Sequence, residues 1–363
     1  MKLFNNFFNG KKVLITGHTG FKGSWLSIWL NELGAKVIGY SLDPYTSNDN
    51  FVKAKLDEKI TSIIGDIRNF QTLFDIFKKY KPEIVFHLAA QALVRASYAD
   101  PKLTYDTNVG GTVNLLECIR KTESVKIGVI ITSDKCYENK EWIWGYREND
   151  SLGGYDPYSS SKACCELVVS AYNSSFFNTN DTKINNKSIC TVRAGNVIGG
   201  GDWRSDRLIT DCILALKKNE PIDIRNPNSI RPWQYVLDPL GGYLLLASKI
   251  ENNKKLLGAW NFGPNNDSLI PVSNLVDKII KIWGSGKWQN LSSDNFLHET
   301  KILKLDTSKA YTYLNWRPIL TIDEAVKFTI DWYKQETPDY DFDVSQINEF
   351  ISIANKRKIN WIK

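Results

Sequence analysis

The chain has 363 residues, of which 42% are hydrophobic and 24% are charged, a composition typical of a folded protein with a large core. The net charge of +6 is small for this length and the lysines are scattered, which argues against nucleic-acid binding and suits an enzyme with an anionic substrate. No apolar run reaches the about 18 residues of a membrane span, and His18, His87 and His298 are too widely separated to suggest a metal site.

A glycine-rich loop, Gly-His-Thr-Gly-Phe-Lys-Gly at residues 17–23, lies between a short apolar strand predicted over residues 12–16 and an amphipathic helix predicted over residues 24–33. In this context Gly17 permits a tight turn, Gly20 lets the backbone approach a pyrophosphate, and Gly23 lets the helix pack on the strand. The loop therefore predicts a dinucleotide-binding site. The cofactor contacts expected from it are Gly17, Thr19, Gly20, Phe21, Lys22 and Gly23.

The second predicted strand, residues 36–41, indicates which dinucleotide is bound. Asp43 follows this strand, where an acid commonly accepts hydrogen bonds from the adenosine ribose hydroxyls, although it could instead belong to an Asp-Pro turn. Between Ser41 and Thr46 there is no Arg or Lys to hold a 2′-phosphate. The pattern favours NAD over NADP.

The next two predicted strands place further candidate contacts at the same edge of the sheet. Residues 60–64 lead into Asp66, which could contact the adenine amino group or cap the helix predicted over 70–80. Residues 83–90 end in small side chains that would let a cofactor lie close. The cofactor contacts expected here are Asp66, Ile67, Leu88, Ala89 and Ala90, and the substrate contacts are Gln91 and Arg95.

The apolar, β-branched residues 127–131 predict a strand buried on both faces of a parallel sheet. In open α/β sheets the ligand crevice lies at the carboxyl ends of the strands. Ser133, Asp134 and Lys135 follow this strand and are therefore expected at the crevice.

A helix is predicted to begin at Asp156-Pro157, with Tyr158 in its first turn. Tyr158 and Lys162 are four residues apart and so share one helical face. A lysine ammonium near a phenol lowers the pKa of the tyrosine towards the working range of a general base. The pair is typical of an enzyme that oxidises a hydroxyl group, whereas the alternative is an ordinary Tyr and Lys on a helix surface.

The regular alternation of strands and helices ends near residue 196 and is replaced by shorter elements, including a short strand predicted over residues 231–236. Residues 260–263 then predict a strand that rejoins the parallel sheet. The predicted fold class is α/β: a doubly wound parallel Rossmann sheet with a smaller, partly discontinuous C-terminal α/β substrate domain. The predicted NAD-binding domain comprises residues 1–195 and about 236–266, and the substrate-binding domain comprises about 196–235 and 267–363.

Nearly the whole chain resembles the extended short-chain dehydrogenase/reductase family, because the glycine loop, Ser133 and the Tyr158/Lys162 pair occur in the expected order. Within this family, four motifs are similar to those of the CDP-glucose 4,6-dehydratases. They are Thr-Ser-Asp-Lys-Cys-Tyr-Glu-Asn at 132–139, Trp-Ile-Trp-Gly-Tyr at 142–146, Arg-Ala-Gly-Asn-Val-Ile-Gly-Gly-Gly-Asp-Trp at 193–203 and Arg-Pro-Trp-Gln-Tyr-Val at 231–236. Related dTDP-glucose and GDP-mannose dehydratases carry Asp-Glu or Glu where this chain has Asp134-Lys135.

The resemblance implies NAD-dependent dehydration of CDP-glucose to CDP-4-keto-6-deoxyglucose. A hydride leaves sugar carbon 4, water is eliminated across carbons 5 and 6, and the hydride returns at carbon 6. Tyr158 would be the base at the carbon 4 hydroxyl, Lys162 would lower its pKa and hold the nicotinamide ribose, and Ser133 would hydrogen-bond the same hydroxyl. Asp134 would protonate the leaving hydroxyl and Lys135 would take the carbon 5 proton, and their proximity would couple the two titrations.

The resemblance also implies where the nucleotide binds and how the chain assembles. The expected substrate contacts in the second domain are Asn196, Arg207, Arg225 and Arg231. A homodimer or dimer of dimers would pack through helices at 103–120 and 158–172, and the product would serve deoxysugar biosynthesis for lipopolysaccharide O-antigen.

The cysteines and the N-terminal residues indicate the cellular compartment. The six cysteines lack disulfide spacing and residues 1–9 lack the apolar core of a secretory leader, so a cytoplasmic protein with reduced thiols is expected.

Three alternatives remain open from the sequence. A nucleotide-sugar 4-epimerase would use Tyr158, Lys162 and Ser133 but has no need of Asp134 and Lys135. A dehydratase of another nucleotide hexose is the second alternative. A non-enzymatic NAD-sensing protein on the same fold need not retain a general base.

Overall fold

A computed structural model describes residues 1–177, 187–251, 253–291 and 302–363. The strands are β1 (Lys12–Thr16), β2 (Lys36–Ser41), β3 (Thr61–Ile64), β4 (Ile84–His87), β5 (Ile127–Ile131), β6 (Ser188–Ala194), β7 (Val197–Ile198), β8 (Ile222–Ile224), β9 (Ile230–Pro232), β10 (Gln234–Tyr235), β11 (Gly258–Phe262), β12 (Leu269–Pro271) and β13 (Trp288–Asn290). The α-helices are α1 (Phe21–Glu32), α2 (Asn50–Lys53), α3 (Leu56–Lys59), α4 (Phe70–Tyr80), α5 (Val94–Ala99), α6 (Pro101–Tyr105), α7 (Gly111–Lys121), α8 (Pro157–Tyr172), α9 (Leu208–Lys218), α10 (Leu237–Ile250), α11 (Val272–Trp283), α12 (Ser308–Leu314), α13 (Ile322–Lys334) and α14 (Tyr340–Lys356).

A seven-stranded sheet has the order β11-β6-β5-β4-β1-β2-β3, and all its neighbouring strands are parallel. The chain winds outward from β1 to β3 and then in the opposite direction from β4, so the order reverses between β1 and β4. This confirms the predicted doubly wound sheet, including the return of β11. The reversal opens a crevice at the carboxyl ends of the strands, where such folds bind ligands.

Side chains from alternate positions along each strand fill two separate cores. Val13 and Ile15 of β1 belong to one hydrophobic cluster together with Trp29 of α1. Leu14, between them, belongs to a second cluster that includes Leu115 of α7. Because both faces are covered by helices, β1 has no polar face, which explains its continuous apolar sequence.

The predicted helix over residues 103–120 is interrupted. α6 ends at Tyr105, a π-helical turn follows over Asp106–Gly110, and α7 begins at Gly111. Two adjacent glycines weaken a regular helix. The missing side chain at Gly111 also lets Ile67 approach, since a Cβ atom there would lie 2.8 Å from Ile67 Cγ2.

The elements outside the sheet form three two-stranded pairs, β10 with β7, β12 with β9 and β13 with β8. The single strand predicted over residues 231–236 is therefore two strands: β9 pairs antiparallel with β12, and β10 pairs parallel with β7. The chain turns at Trp233 because these two partners lie in different directions. Within the described ranges, no helix combines the length and the apolar character that a bilayer crossing requires.

Candidate active site

A cleft of about 1260 Å³ lies at the carboxyl ends of the parallel strands. Its walls are the ends of β1, β4, β5 and β6, the start of α8, and residues from α9 and its neighbouring strands. Every residue that the sequence predicted to catalyse the reaction or to bind cofactor or substrate lines this cleft. The structure thus brings together groups that are more than 200 positions apart in the chain.

The glycine loop forms a close-fitting cradle at one end of the cleft. Gly17 has a φ of +80°, and a Cβ atom there would lie 2.7 Å from the Ala89 nitrogen. A Cβ atom at Gly23 would lie 2.0 Å from the Gly17 oxygen, whereas at Gly20 the nearest atom would be 3.4 Å away. α1 then begins at Phe21 without a side-chain cap, which leaves amide hydrogens available to an anion. These features fit a bound pyrophosphate.

The expected adenosine contacts lie beside this cradle. Asp43 is exposed at the cleft edge. The Asp66 carboxylate accepts hydrogen bonds from the backbone and side chain of Arg68, with 2.9 Å between Arg68 N and Asp66 Oδ1. α4 is capped by Asn69, whose Oδ1 accepts from Thr72 N at 3.1 Å. Asp66 is therefore not the cap of that helix, and its position agrees with the alternative of a cofactor contact.

Ser133, Asp134 and Lys135 form one tight turn directly after β5. The Ser133 hydroxyl donates to Asp134 Oδ1 at 3.0 Å and accepts from Lys135 N at 3.2 Å. Asp134 is 3% exposed, and its Oδ2 has no hydrogen-bond partner in the part of the chain that the structure describes. A buried carboxylate oxygen without a partner is unfavourable in a merely structural role. Its place in the cleft suits an acid that contacts a substrate hydroxyl.

Tyr158 and Lys162 line the same part of the cleft from α8, whose predicted start is confirmed by the Asp156 side chain accepting from Ser159 N at 2.9 Å. Burial raises the pKa of Tyr158 to about 12, while its hydrogen bond with Ser133 acts to lower that pKa. Lys162 donates to the Ile131 carbonyl at 3.2 Å. The Lys162 ammonium group is thus directed at the end of β5, close to the phenol and Ser133.

Positive charge surrounds the centre of the cleft. Burial, followed by the charge of Arg207, lowers the pKa of Lys22 to about 8, and Lys162 contributes in the same direction. Burial also lowers the pKa of Lys162. Lys22, Lys162 and Arg207 together place positive charge in the cleft, which suits an anionic ligand.

Four arginines predicted as substrate contacts line the opposite wall. Asp206 Oδ1 lies 3.5 Å from Arg95 NH1 and 3.5 Å from Arg225 NH2. Arg207 donates to the Ala92 carbonyl at 3.4 Å, and the buried Arg231 donates to the adjacent Ile230 carbonyl at 3.1 Å. The exposed pairs are weak and can be exchanged for contacts to a diphosphate.

Asn196 and Gln91, the two amides among the predicted substrate contacts, are in different situations. Asn196 follows β6 and lines the cleft. Gln91 also lines it, but its Oε1 accepts from Leu93 N at 2.7 Å and its Nε2 donates to Thr104 Oγ1 at 3.0 Å. Both ends of the Gln91 amide are therefore hydrogen-bonded to neighbouring residues at the rim of the cleft.

A buried ion pair behind the catalytic residues was missed by the sequence analysis. Arg193 donates to both carboxylate oxygens of Glu166, at 2.9 and 2.8 Å, and the two side chains are 3% and 4% exposed. Thr132 and Thr191 donate to the same carboxylate. The one signal in the sequence was a glutamate one helical turn beyond Lys162, on the same face of α8.

The network continues from this ion pair to the edge of the sheet. Arg193 NH1 donates to Tyr137 OH at 2.7 Å, and Tyr137 donates to Asn261 Oδ1 at 2.8 Å. Asn261 Nδ2 donates to the Tyr146 carbonyl at 2.8 Å. The loop after the catalytic turn is thereby anchored to β6 and β11.

The described part of the chain contains no group of three or more His, Cys, Asp or Glu side chains that could hold a metal ion, and His298 lies outside the described residues. The cysteines at 118, 136, 164, 165, 190 and 212 are free thiols.

Comparison with known proteins adds independent evidence. A family model described as GDP-mannose 4,6 dehydratase matches residues 14–329. The chain is 50% identical over 330 residues to CDP-glucose 4,6-dehydratase of Salmonella typhimurium strain LT2, covering 91% of this chain and 92% of that protein. It is 28% identical to UDP-glucuronate 4-epimerase of Thermodesulfobacterium geofontis, over 89% and 96% of the two chains. The crystal structure of dTDP-glucose 4,6-dehydratase from Bacillus anthracis in complex with NAD has the same fold, with a TM-score of 0.74 and 21% identity over 90% of this chain and 97% of that one.

Proposed function

Because the chain belongs to the GDP-mannose 4,6-dehydratase family of extended short-chain dehydrogenases/reductases, we propose that it is an NAD-dependent hydro-lyase that converts CDP-glucose to CDP-4-keto-6-deoxyglucose. The resemblance predicted from the sequence motifs is confirmed by this membership. The observation that carries the proposal is the 50% identity to a CDP-glucose 4,6-dehydratase over 91% of the chain. The turn formed by Ser133, Asp134 and Lys135 lines the cleft beside Tyr158, which supports the proposal.

NAD fits the cradle of Gly17, Gly20 and Gly23, where added Cβ atoms would close the space at the first and third glycines. The start of α1 would hold the pyrophosphate, and the exposed Asp43 would accept hydrogen bonds from the adenosine ribose. When bound, NAD supplies the acceptor for the hydride from sugar carbon 4 and its donor to carbon 6. Lys162 would bind the nicotinamide ribose.

The first proton transfer is assigned to Tyr158, which takes the proton of the carbon 4 hydroxyl. Ser133 acts to lower the pKa of the phenol, and its hydroxyl stabilises the phenolate that oxidation requires when it turns its hydrogen from Asp134 to Tyr158. Placing the phenol in a buried site limits competing hydrogen bonds from water. Tyr158 and Ser133 are common to dehydratases and epimerases and do not separate the two.

Elimination of water is assigned to Asp134 and Lys135. The ketone formed at carbon 4 acidifies the proton on carbon 5, which Lys135 removes as general base. Asp134 protonates the departing carbon 6 hydroxyl through its unpartnered Oδ2. A 4-epimerase has no use for these two groups, and their place beside Ser133 favours the dehydratase.

The nucleotide half of the substrate is assigned to the opposite wall of the cleft. Its diphosphate would exchange with the carboxylates that now contact Arg95, Arg207 and Arg225, and Asn196 would bind beside them. We also assign the part of this wall that carries Asn196, Arg207 and Arg225 to a second domain of about residues 196–235 and 267–363, with residues 1–195 and about 236–266, including Arg95, forming the first.

A homodimer and a cytoplasmic location are further parts of the proposal. Leu103, Tyr105, Leu167 and Phe176 are exposed on or beside the helices expected to pair, and Leu167 is 59% exposed. Such side chains suit an interface between two copies of the chain. Six free thiols suit a reducing compartment. A role in lipopolysaccharide O-antigen synthesis rests on the family resemblance.

The decisive experiment incubates the purified protein with NAD and, separately, CDP-, dTDP-, UDP- and GDP-hexoses, and identifies products by mass and by NMR. The proposal predicts a 4-keto-6-deoxy sugar from CDP-glucose and no net formation of NADH. A 4-epimer without loss of water would make the protein an epimerase. Stoichiometric NADH would make it a simple sugar dehydrogenase.

A further inference from the structure

One arm of the cleft lies beyond the catalytic turn, along the first turns of α9 and the strand β8. Residues lining this α9 arm include Leu208, Ile209, Asp211, Asp223, Ile224, Arg225, Asn226 and Val272. In the proposed function the cofactor lies along the glycine loop and the glucose lies against Tyr158. The nucleoside of the substrate is then left with the α9 arm, past the arginines that bind its diphosphate.

Asp211 is the acidic group in this arm whose position, one helical turn from Arg207, matches the expected place of the base. It follows Arg207 by one helical turn, about 5.4 Å along the axis, and its N–H donates to the Arg207 carbonyl at 2.9 Å. The charged groups facing it are Arg225, Asp206 and Arg95; burial raises the pKa of the Asp211 carboxyl, and Arg225 acts to lower it. In a nucleotide the ribose separates the diphosphate from the base by a distance comparable to this helical turn. A diphosphate bound at Arg207 would therefore place the base near Asp211.

Neighbouring carboxylates in the same region are already engaged. Asp206 contacts Arg95 and Arg225, and the exposed Asp223 accepts from Gln289 Nε2 at 2.7 Å. In contrast, no hydrogen bond among the described residues engages the carboxylate of Asp211. Asp211 therefore has acceptor capacity directed to the cleft.

A carboxylate is informative about which base it faces, because it accepts hydrogen bonds and cannot donate them. Cytosine presents an amino group at N4, where uracil and thymine present the carbonyl oxygen O4 and guanine presents O6. A carboxylate facing this edge of the base accepts a hydrogen bond from cytosine N4. It meets an acceptor oxygen, O4 of uracil or thymine or O6 of guanine, in the other three bases. Asp and Glu are the side chains suited to accept from cytosine N4.

We propose that Asp211 selects cytosine in the substrate by accepting a hydrogen bond from its N4 amino group. The inference rests on the proposed function, since it names the residue that determines the base of that same substrate. It assigns Asp211 to specificity and not to the chemical steps, which belong to residues on β5 and α8.

The test measures kcat/KM for CDP-glucose and UDP-glucose in the wild-type enzyme and in Asp211→Asn. The amide keeps the shape of the side chain and can still accept through its oxygen, but unlike the carboxylate it can also donate to uracil O4. The ratio of the two kcat/KM values is expected to fall about 10- to 100-fold, chiefly through a lower KM for UDP-glucose. Asp211→Glu keeps an acceptor and is expected to retain the preference for CDP-glucose.

Glu220→Gln is the matched control, because it removes an exposed carboxylate just beyond the same helix that does not line the cleft; its base preference is expected to match that of the wild type. An Asp211→Asn enzyme with the wild-type ratio overturns the inference, as does an equal change of ratio in Glu220→Gln. If circular dichroism shows Asp211→Asn to be unfolded, Asp211→Ser provides the same comparison. A wild-type enzyme that dehydrates none of the nucleotide hexoses, or only one with another base, overturns the proposed function instead.

Discussion

The guanidinium of Arg193 and the carboxylate of Glu166 form a buried two-pronged ion pair directly behind the catalytic residues. Glu166 lies one helical turn beyond Lys162 on α8. Thr132, which donates to Glu166, immediately precedes Ser133. The pair therefore joins the catalytic helix to the catalytic turn, two elements whose relative position determines the geometry of proton transfer.

Glu166→Gln is expected to destabilise the fold strongly, because it leaves the Arg193 charge buried without a counter-charge. The free energy of unfolding should fall by about 3–5 kcal/mol, measured by urea denaturation. Glu117→Gln is the control, since Glu117 contacts Arg120 at the same 2.8 Å but on the surface. Its effect should stay below about 1 kcal/mol, and equal effects of the two variants would contradict the assigned importance of burial.

Tyr158→Phe is expected to lower kcat by about 10²–10⁴-fold, because only the phenolic oxygen that accepts the carbon 4 proton is removed. Circular dichroism and NAD affinity should be unchanged. Tyr172→Phe on the same helix removes a hydroxyl that contacts Glu117 at 3.0 Å, outside the cleft, and should retain activity. Turnover by Tyr158→Phe at the wild-type rate would exclude this residue as the base.

Ser133→Ala is expected to shift the pH dependence of kcat/KM to higher pH. The hydrogen bond with Ser133 acts to lower the pKa of Tyr158, which burial holds at about 12. Removing it raises that pKa further, so less phenolate exists at any given pH and the ascending limb of the profile moves in the basic direction. Ser133→Thr keeps a hydroxyl and should move the limb less. A limb that stays in place in Ser133→Ala would show that Ser133 does not tune the phenol.

Lys135→Met is expected to block elimination while leaving oxidation at carbon 4 partly intact, so that reduced cofactor accumulates on the enzyme. In deuterium oxide, the wild-type product should carry deuterium at carbon 5, because the proton removed there exchanges with solvent. Lys102→Met, on the exposed helix α6, serves as the control. A dehydrated product without deuterium at carbon 5 would exclude proton abstraction by an exchangeable base.

Asp134→Asn should slow loss of the carbon 6 hydroxyl, since an amide is a poor proton donor.

Gly195→Ala is expected to impair elimination more than oxidation. An added Cβ atom would lie 2.8 Å from Asp134 Oδ2 and 2.6 Å from Pro232 Cγ, closer than real Cβ contacts. The Asp134 carboxylate would have to move, and dehydration should slow at least about tenfold, because a small misplacement of a catalytic group is costly. Gly110→Ala is the control, since no atom lies within 4 Å of a Cβ atom there. Full dehydration activity in Gly195→Ala would show that Asp134 needs no fixed position.

The bounds of several strands and helices could be predicted from the local sequence pattern alone, and those of others could not. β1, β2, β5 and α4 have the bounds that their patterns predicted, because each has a continuous apolar strand or a clear helical period. The helix over 103–120 and the strand over 231–236 did not have their predicted continuity. In the first case a π-helical turn precedes Gly111, which packs against the distant Ile67, and in the second the two halves of the segment pair with β12 and β7.

The same distinction applies to the site. By itself the sequence determined which strand ends carry chemistry, since the glycine loop and the Tyr158/Lys162 spacing express local geometry that any parallel α/β sheet delivers to its carboxyl edge. Only the tertiary structure showed that the Gln91 amide is hydrogen-bonded to Thr104 at the rim of the cleft and that Glu166 pairs with Arg193. It also showed that Ser133 acts to lower the pKa of Tyr158, while Lys162 contacts the end of β5. Burial and hydrogen-bond partners arise from segments far apart in the chain, so no local pattern encodes them.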